Sequence, residues 1–237
     1  MKVLALDTST DACSAAVWVG GSILERYGLA PRRHAALILP MIEAVLAEAG
    51  LAVGQLDAVA FGRGPGAFTG VRVAAGVAQG IAFAAGLPVV PISTLAAMAL
   101  GAGRETGHAQ LAVALDARMG EVYWGTYIAA GAAVEPLGEE RVCAPAAVSA
   151  PPGNWFGVGS GWGVYPAILA RRLTVNGWSS ERLPHAGDIA RLAADPRRRA
   201  EWLPAERALP VYLRNEVVSK PVGALSRPAG KDKIVGG

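Results

Sequence analysis

The sequence predicts an α/β fold built from two similar domains, and two observations carry this prediction. Two apolar strands, at residues 2–8 and 110–116, each contain an aspartate at or near their end, Asp7 and Asp116. Each strand is followed by antiparallel strand patterns and then by helices and further strands. We therefore expect the same topology twice along the chain.

The domain limits follow from this repeat. Residues 101–107, GAGRETG, predict a linker, so the first domain covers residues 1–103 and the second covers residues 104–219. Residues 220–237 are rich in glycine, proline and lysine, a composition that predicts a disordered tail.

In the first half, Gly20 and Gly21 predict the turn of a hairpin. Pro40 must lie in the first turn of its helix or kink it. Thr69 and Ser93 are the expected N-caps of two later helices. The predicted strands are residues 2–8, 12–19, 22–29, 57–62 and 87–91, and the predicted helices are residues 35–49, 69–85 and a third that starts after Ser93.

In the second half, Gly131 marks a turn between antiparallel strands, and a proline-rich stretch separates these from a further strand. The predicted strands are residues 110–116, 121–128, 132–142 and 155–158, and the predicted helices are residues 164–173 and 185–194.

Composition excludes some classes of protein. Charged residues make up 17% of the chain and the net charge is +3, too small a basic excess to indicate nucleic-acid binding by itself. Residues 73–103 are uncharged and long enough to span a membrane, but alanine and glycine dominate and prolines interrupt them, which favours helix, strand and helix in a domain without membrane spans. No cleavable signal pattern begins the sequence, so we expect a cytoplasmic protein.

Several blocks, taken in order, resemble one family. They are ALDTST at the start, GRGPGAFTGVRVAAGVAQGIA with the following PVVPISTL, then ALDARMGEVYW, and YLR near the end. The blocks run through nearly the whole chain, and the glycine-rich block is specific at this length. The chain is thereby identified as a member of the TsaB family.

The resemblance implies an actin, sugar-kinase and Hsp-seventy-like fold of two α/β domains. It also implies a part in forming N6-threonylcarbamoyladenosine beside the anticodon of tRNA. The implied partners are the catalytic subunit TsaD, in a heterodimer, and the ATPase TsaE. A homodimer is expected when the chain is alone, with tRNA contacted indirectly through the complex.

Nucleotide binding is a separate question. Members of this fold that bind nucleotides use acids at strand ends for Mg²⁺ and glycine turns for phosphates, so the candidates here are Asp7, Asp116, Gly64 and Gly66. Neither aspartate is followed by glycine, and capping of the local backbone is favoured for both. The glycine loop lacks the spacing GxxxxGK[ST], which favours a tight crossover over a phosphate site. No cofactor is expected for this chain alone. Binding of ATP or ADP at the interface of the complex remains an alternative.

A metal site and catalytic residues are not predicted. Catalytic relatives carry two histidines four residues apart, which suits joint ligation of a metal. Here His34, His108 and His185 lie far apart, and Ile38 stands four residues after His34. A metalloprotease is disfavoured for the same reason, while a small-molecule kinase with Asp7 and Asp116 at Mg-ATP remains the alternative.

Two helices predict an interface. Small residues recur every fourth position in the helix after the glycine loop, beside a ridge of larger apolar residues, and such a stripe lets a second helix approach closely. The preceding helix is also apolar nearly all round. The predicted interface residues are Leu37, Met41, Val45, Val73, Gly76, Val77, Gly80 and Ala84.

Overall fold

The computed structural model describes residues 1–131 and 133–214. Its strands are β1 Lys2–Asp7, β2 Ala12–Val19, β3 Ser22–Leu29, β4 Ala58–Gly62, β5 Val89–Ile92, β6 Gln110–Arg118, β7 Glu121–Ala130, β8 Ala133–Pro136, β9 Arg141–Cys143, β10 Trp155–Val158 and β11 Val175–Ser179. Its α-helices are α1 His34–Glu48, α2 Phe68–Ala85, α3 Thr94–Thr106, α4 Gly161–Val164, α5 Pro166–Arg172 and α6 Ala186–Ala193.

Two mixed sheets repeat one topology, as the sequence predicts. The first has the strand order β3-β2-β1-β4-β5 and the second has the order β11-β10-β6-β7-β8, with β9 pairing with β7. In the first sheet β1 is antiparallel to β2 and parallel to β4. In the second sheet β6 is antiparallel to β7 and parallel to β10. The α/β repeat is therefore confirmed.

The predicted linker at residues 101–107 is wrong. Helix α3 continues to Thr106, and Gly107 ends it in a left-handed conformation. A Cβ on Gly103 would come within 2.7 Å of the Cβ of Ala129 on β7, so glycine here lets the helix approach the sheet closely. Two glycines that resemble a flexible connection in the sequence thus serve close packing, while the domain limits themselves stay a prediction.

Each half of the chain contributes one helix that packs on the sheet of the other half. Helix α3, from the first half, packs on β6 and β7 of the second sheet, whereas α6, from the second half, packs on β1, β2 and β4 of the first sheet. Asp188 of α6 accepts hydrogen bonds from Arg104 of α3 at 2.8 Å and from Arg182 at 2.9 Å. The exchanged helices are consequently joined by an ion pair between Arg104 and the buried Asp188, which Arg182 also contacts.

Several local details differ from the predictions. Pro40 lies inside α1, beyond its first turn. Thr69 is within α2, whose N-cap is Ala67 without a side-chain bond, whereas Ser93 caps α3 as expected by accepting from the N–H of Ala96. The helix predicted at residues 164–173 is two helices, and β11 was not predicted.

Helix α2 is long and apolar enough to qualify as a membrane span by length and hydropathy, the one such helix among the described residues. Its inner face, however, is in the core: Ala74, Ala78 and Ala82 are fully buried. Residues 73–103 form the helix, strand and helix that the sequence predicts.

Candidate functional site

A cleft of about 480 Å³ lies between the two halves of the chain. One wall comes from the β1–β2 turn and the start of α2, and the other comes from the β6–β7 hairpin. The lining residues are Ser9, Thr10, Asp11, Gly66, Ala67, Phe68, Leu115, Asp116, Ala117, Arg118, Met119, Tyr123, Ser160, Val164, Leu183 and Arg214. Of the four residues predicted to bind nucleotide, Gly66 and Asp116 are in this lining.

Asp7 lies outside the cleft lining and is fully buried. Its Oδ1 accepts hydrogen bonds from the backbone N–H and the hydroxyl of Ser9, both at 2.9 Å. Burial raises the pKa of Asp7 to about 6, although the bonds from Ser9 and the nearby His185 act in the opposite direction. In this structure the carboxylate caps the β1–β2 turn and does not reach the cleft.

The raised pKa of Asp7 predicts a pH-dependent stability. Between pH 4 and 6 the folded chain retains a proton that the unfolded chain, with a pKa of 3.8, has released. The stability that the protonated Asp7 contributes is therefore complete below pH 3.8 and is lost as pH rises through 6. Above pH 6 the buried carboxyl is ionised, which lowers the free energy of unfolding by about 3 kcal/mol. We expect Asp7→Asn to be more stable than the wild type at pH 7–8, measured by urea unfolding across this range.

Asp195→Asn is the control of opposite sign. Hydrogen bonds from Arg197 hold the pKa of Asp195 below its usual value of 3.8, so its contribution is present at neutral pH and is lost as pH falls. This variant should lose stability at pH 7. An Asp7→Asn protein whose unfolding curve keeps the wild-type fall between pH 4 and 6 would contradict the role assigned to Asp7.

Asp116 makes the corresponding bond in the second half. Its Oδ1 accepts from the backbone N–H of Arg118 at 3.0 Å, and its Oδ2 lies 3.2 Å from the guanidinium of the same residue. The backbone N–H of Asp116 donates to Ser160 across the neighbouring turn at 3.1 Å. Both aspartates thus bond to the residue two positions later, which is the capping pattern.

The glycine loop packs tightly against the end of β1. A Cβ on Gly66 would overlap the carbonyl of Ser9, and a Cβ on Gly70 would overlap that of Thr8. The N–H of Ala67 donates to the Ser9 carbonyl at 2.7 Å. Gly64 has φ +98°, and a Cβ there would lie 3.1 Å from the carbonyl oxygen of Val211. These contacts give the glycines a packing role. Of Gly64 and Gly66, the two glycines predicted to bind nucleotide, only Gly66 lines the cleft.

The arginines of the loop block have partners elsewhere in the chain. Arg63 lies 3.8 Å from Glu140. The Nε of Arg72 donates to the hydroxyl of Tyr212 at 2.7 Å, and its guanidinium stacks on Phe68 at 3.6 Å from the ring centroid. The aromatic rings beside Arg72 were too far apart in sequence for this arrangement to be predicted.

A segment near the C-terminus joins the two walls of the cleft, and sequence reasoning missed its role. The N–H of Val211 donates to the carbonyl of Arg63 at 2.8 Å. Arg214 donates to the carbonyl of Ala117 at 3.1 Å and to Glu121 at 2.5 Å. The available signal was the YLR block, residues 212–214, which resembled the family without indicating a contact.

The predicted interface residues divide between surface and core. Gly76, Gly80 and Ala84 are exposed, and a Cβ on either glycine would meet no atom within 4 Å. Leu37, Met41, Val73 and Val77 are half-buried beside them. Val45 is fully buried in the core of the first half, so its assignment to an interface is wrong. The spacing of apolar residues in a helix does not by itself indicate which side of the helix packs against the sheet.

Among the described residues, no three histidines, cysteines, aspartates or glutamates group closely enough to hold a metal ion. Two of the three histidines stack on aromatic rings: His185 on Tyr27 with centroids 4.1 Å apart, and His108 on Phe156 at 4.4 Å.

Comparison with known proteins identifies related chains. The family described as "TsaD: tRNA N6-adenosine threonylcarbamoyltransferase" matches residues 23–156. The Escherichia coli "tRNA threonylcarbamoyladenosine biosynthesis protein TsaB" is 40% identical over 93% of this chain and 97% of its own length. The Haemophilus influenzae protein of that name is 43% identical over 93% of this chain and 96% of its own length.

The structure described as "YeaZ from Pseudomonas aeruginosa" is 48% identical and superposes with a TM-score of 0.85, covering 90% of this chain and 99% of that one. With the two mixed sheets described above, these matches confirm the two-domain fold of the actin, sugar-kinase and Hsp-seventy group.

Proposed function

The chain belongs to the TsaB family of tRNA threonylcarbamoyladenosine biosynthesis proteins, and from this premise we propose that it is a non-catalytic scaffold and dimerisation subunit. The assembly it serves transfers threonylcarbamoyl to N6 of the adenosine next to the anticodon. Its partners in this proposal are the catalytic TsaD, in a heterodimer, and the ATPase TsaE. Its place of action is the cytoplasm.

The observation that carries the scaffold proposal is the exposed face of α2. Gly76, Gly80 and Ala84 form a strip with open space above it, so a helix of another chain can approach the backbone closely. Leu39 of α1 is 48% exposed and Phe83 of α2 is 68% exposed, which adds apolar area on these two helices. Such area on neighbouring helices is typical of a protein–protein interface.

The proposal that this subunit lacks catalysis is supported by its side chains. The two strand-end aspartates are used for capping, and one of them is buried away from the cleft. The histidine pair expected of the catalytic relatives has no counterpart in this sequence. Among the described residues, no cluster of histidines, cysteines, aspartates or glutamates could hold a metal ion for acyl transfer, which supports a role without catalysis.

Nucleotide binding is the second candidate function, and the cleft favours it. Gly66, Asp116 and the start of α2 line a cavity large enough for a small molecule. A kinase or ATPase of the same fold would hold Mg-ATP there. In the scaffold proposal this chain alone requires no cofactor, and ATP or ADP belongs to the interface of the complex.

Reconstitution tests the two functions against each other. With threonylcarbamoyl adenylate and unmodified tRNA supplied, we expect the pure chain to form no modified tRNA, because its sequence lacks the histidine pair expected of the catalytic relatives. Addition of TsaD and TsaE should give modification that depends on this chain, measured by nucleoside mass spectrometry. Each subunit omitted in turn is the control.

Two outcomes would reject the scaffold proposal. One is product from the chain alone. The other is full activity of TsaD and TsaE without it. Stoichiometric ATP binding and phosphoryl transfer by the isolated chain, measured by calorimetry and ADP release, would instead support the kinase.

A further inference from the structure

Residues 141–180 contain three arginines and no aspartate or glutamate. The net charge of the whole chain is +3, so the basic excess of this stretch alone equals that of the entire protein. In the structure the stretch runs from β9 through β10, α4 and α5 to the end of β11 in the second sheet. Charge is thus concentrated on one part of the second domain.

The three residues, Arg141, Arg171 and Arg172, form what we call the arginine patch. All three are exposed, and none has a carboxylate within 4.0 Å in the part of the chain that the structure describes. Arg26, Arg197 and Arg198 are different, since each faces a glutamate. The patch differs from these three arginines in having no carboxylate partner, and it differs from other exposed arginines without one, such as Arg32 and Arg33, in lying in a stretch that contains no aspartate or glutamate.

Neighbouring backbone holds two of these guanidinium groups close together. Arg141 donates to the carbonyl of Ala147 at 3.2 Å, and Arg172 donates to the carbonyl of Val148 at 3.4 Å. Because these acceptors are consecutive residues, whose Cα atoms are about 3.8 Å apart, the two side chains meet at one place on the surface. Each guanidinium has further N–H groups to offer to a ligand.

The support under the patch is rigid. The indole of Trp124 donates to the carbonyl of Ser149 at 3.1 Å, and that of Trp155 donates to Pro151 at 3.0 Å. Leu169 of α5 is fully buried in the same cluster as these tryptophans, so the helix that carries Arg171 and Arg172 is fixed on the sheet. The positive charges are consequently held in place before any ligand arrives.

Two acids near Arg141, Glu140 in the chain and Glu121 in the sheet, are engaged by other residues. Glu140 is 13% exposed and accepts a hydrogen bond from Tyr127 at 2.5 Å, on the side of Arg63. Glu121, whose strand pairs with β9, is engaged by Arg214. These internal partners leave the arginines of the patch available to an external anion.

We propose that the arginine patch binds the phosphodiester backbone of the RNA substrate, so that this subunit contacts tRNA directly and not only through the complex, as the family resemblance implies. The inference rests on the proposed function, which supplies an RNA to the assembly. Planar guanidinium groups match phosphate oxygens, and unpaired exposed arginines are the ordinary means of binding nucleic-acid backbones. No base contact is required, so the contribution is independent of RNA sequence.

The test is tRNA binding by the full chain, alone and with TsaD, followed by fluorescence anisotropy between about 50 and 200 mM salt. The triple variant R141Q/R171Q/R172Q should bind at least about tenfold more weakly, and the slope of log K against log salt should fall by about 2 to 3. The matched control R26Q/R197Q/R198Q removes the same charge from paired arginines and should change the slope by less than about 1.

Two further variants guard against a merely structural effect. Arg171→Gln removes a side chain with no hydrogen bond among the described residues and should by itself lower the slope by about 0.9. The lysine triple R141K/R171K/R172K keeps the charge and should restore most of the binding. Thermal melting reports whether each variant folds.

Equal losses in both glutamine triples would show a general charge effect and overturn the inference. So would unchanged binding in the patch triple, or a loss of TsaD association in place of tRNA affinity, since the patch would then be a protein interface. Modification assays separate the two proposals: a wild-type chain that is dispensable for modification rejects the proposed function, whereas the binding assay decides the patch.

Discussion

Replacing Gly80 by leucine is expected to abolish self-association and TsaD binding while the monomer stays folded. The leucine side chain would enter the open space above the strip formed by Gly76, Gly80 and Ala84 and would hold a partner helix away from the backbone. We expect an affinity loss of at least about 100-fold, or about 2.8 kcal/mol. The monomer should gain up to about 1 kcal/mol, because glycine is unfavourable inside a helix.

Size-exclusion chromatography with light scattering measures assembly, and urea unfolding at several protein concentrations separates monomer stability from dimerisation. The matched control is Ala78→Leu, two residues earlier on the buried face of the same helix. That variant should lose about 1–3 kcal/mol of stability through overpacking. If the Gly80→Leu protein still dimerises and still binds TsaD, this face of α2 is not part of the interface.

Replacing Gly70 by alanine is expected to destabilise the fold by about 3 kcal/mol or more. The new Cβ would overlap the backbone carbonyl of Thr8, whose hydroxyl donates to the carbonyl of Gly70 at 2.7 Å. The clash involves main chain on both sides, at the point where α2 begins and β1 ends. Neither a rotamer change nor a small side-chain movement can relieve it.

Gly76→Ala on the same helix is the control for this second prediction. Its Cβ meets no atom within 4 Å, so it should raise stability by about 0.5–1 kcal/mol. Urea unfolding of both variants at pH 7 provides the comparison, and the Gly70→Ala melting temperature should fall by about 6–12 °C. Equal stability of Gly70→Ala and the wild type would show that the fold does not require the close contact between Gly70 and the carbonyl of Thr8.

Local patterns predicted the regular elements well. The hairpin of β2 and β3, with Gly20 and Gly21 at its turn, and strand β10 have the predicted limits, since alternating apolar residues and a glycine turn are local signals. Capping of α3 by Ser93 was likewise predicted, because a cap depends on residues three positions apart.

The predictions were wrong where one sequence pattern is compatible with two structures: glycines with a linker or a close contact, and apolar helical spacing with an interface or the core. Gly101 and Gly103 predicted a linker, yet they lie in α3 because the helix approaches its neighbours closely there. Val45 shares helical spacing with Leu37 and Met41, but it is on the side that packs into the core. Spacing identifies an apolar helix, and only the neighbouring elements decide which face is covered.

The sequence by itself determined the repeated α/β topology, the family resemblance and the strip of small residues on α2, because each of these depends on residues near one another in the chain. The tertiary structure decided which residues line the cleft, that Asp7 is buried beneath the surface, and that α3 and α6 exchange sheets. These features depend on contacts between distant residues, such as Arg214 with Ala117 or Asp188 with Arg104. The free energy of burial and of hydrogen bonding is set by such neighbours, which local sequence patterns do not specify.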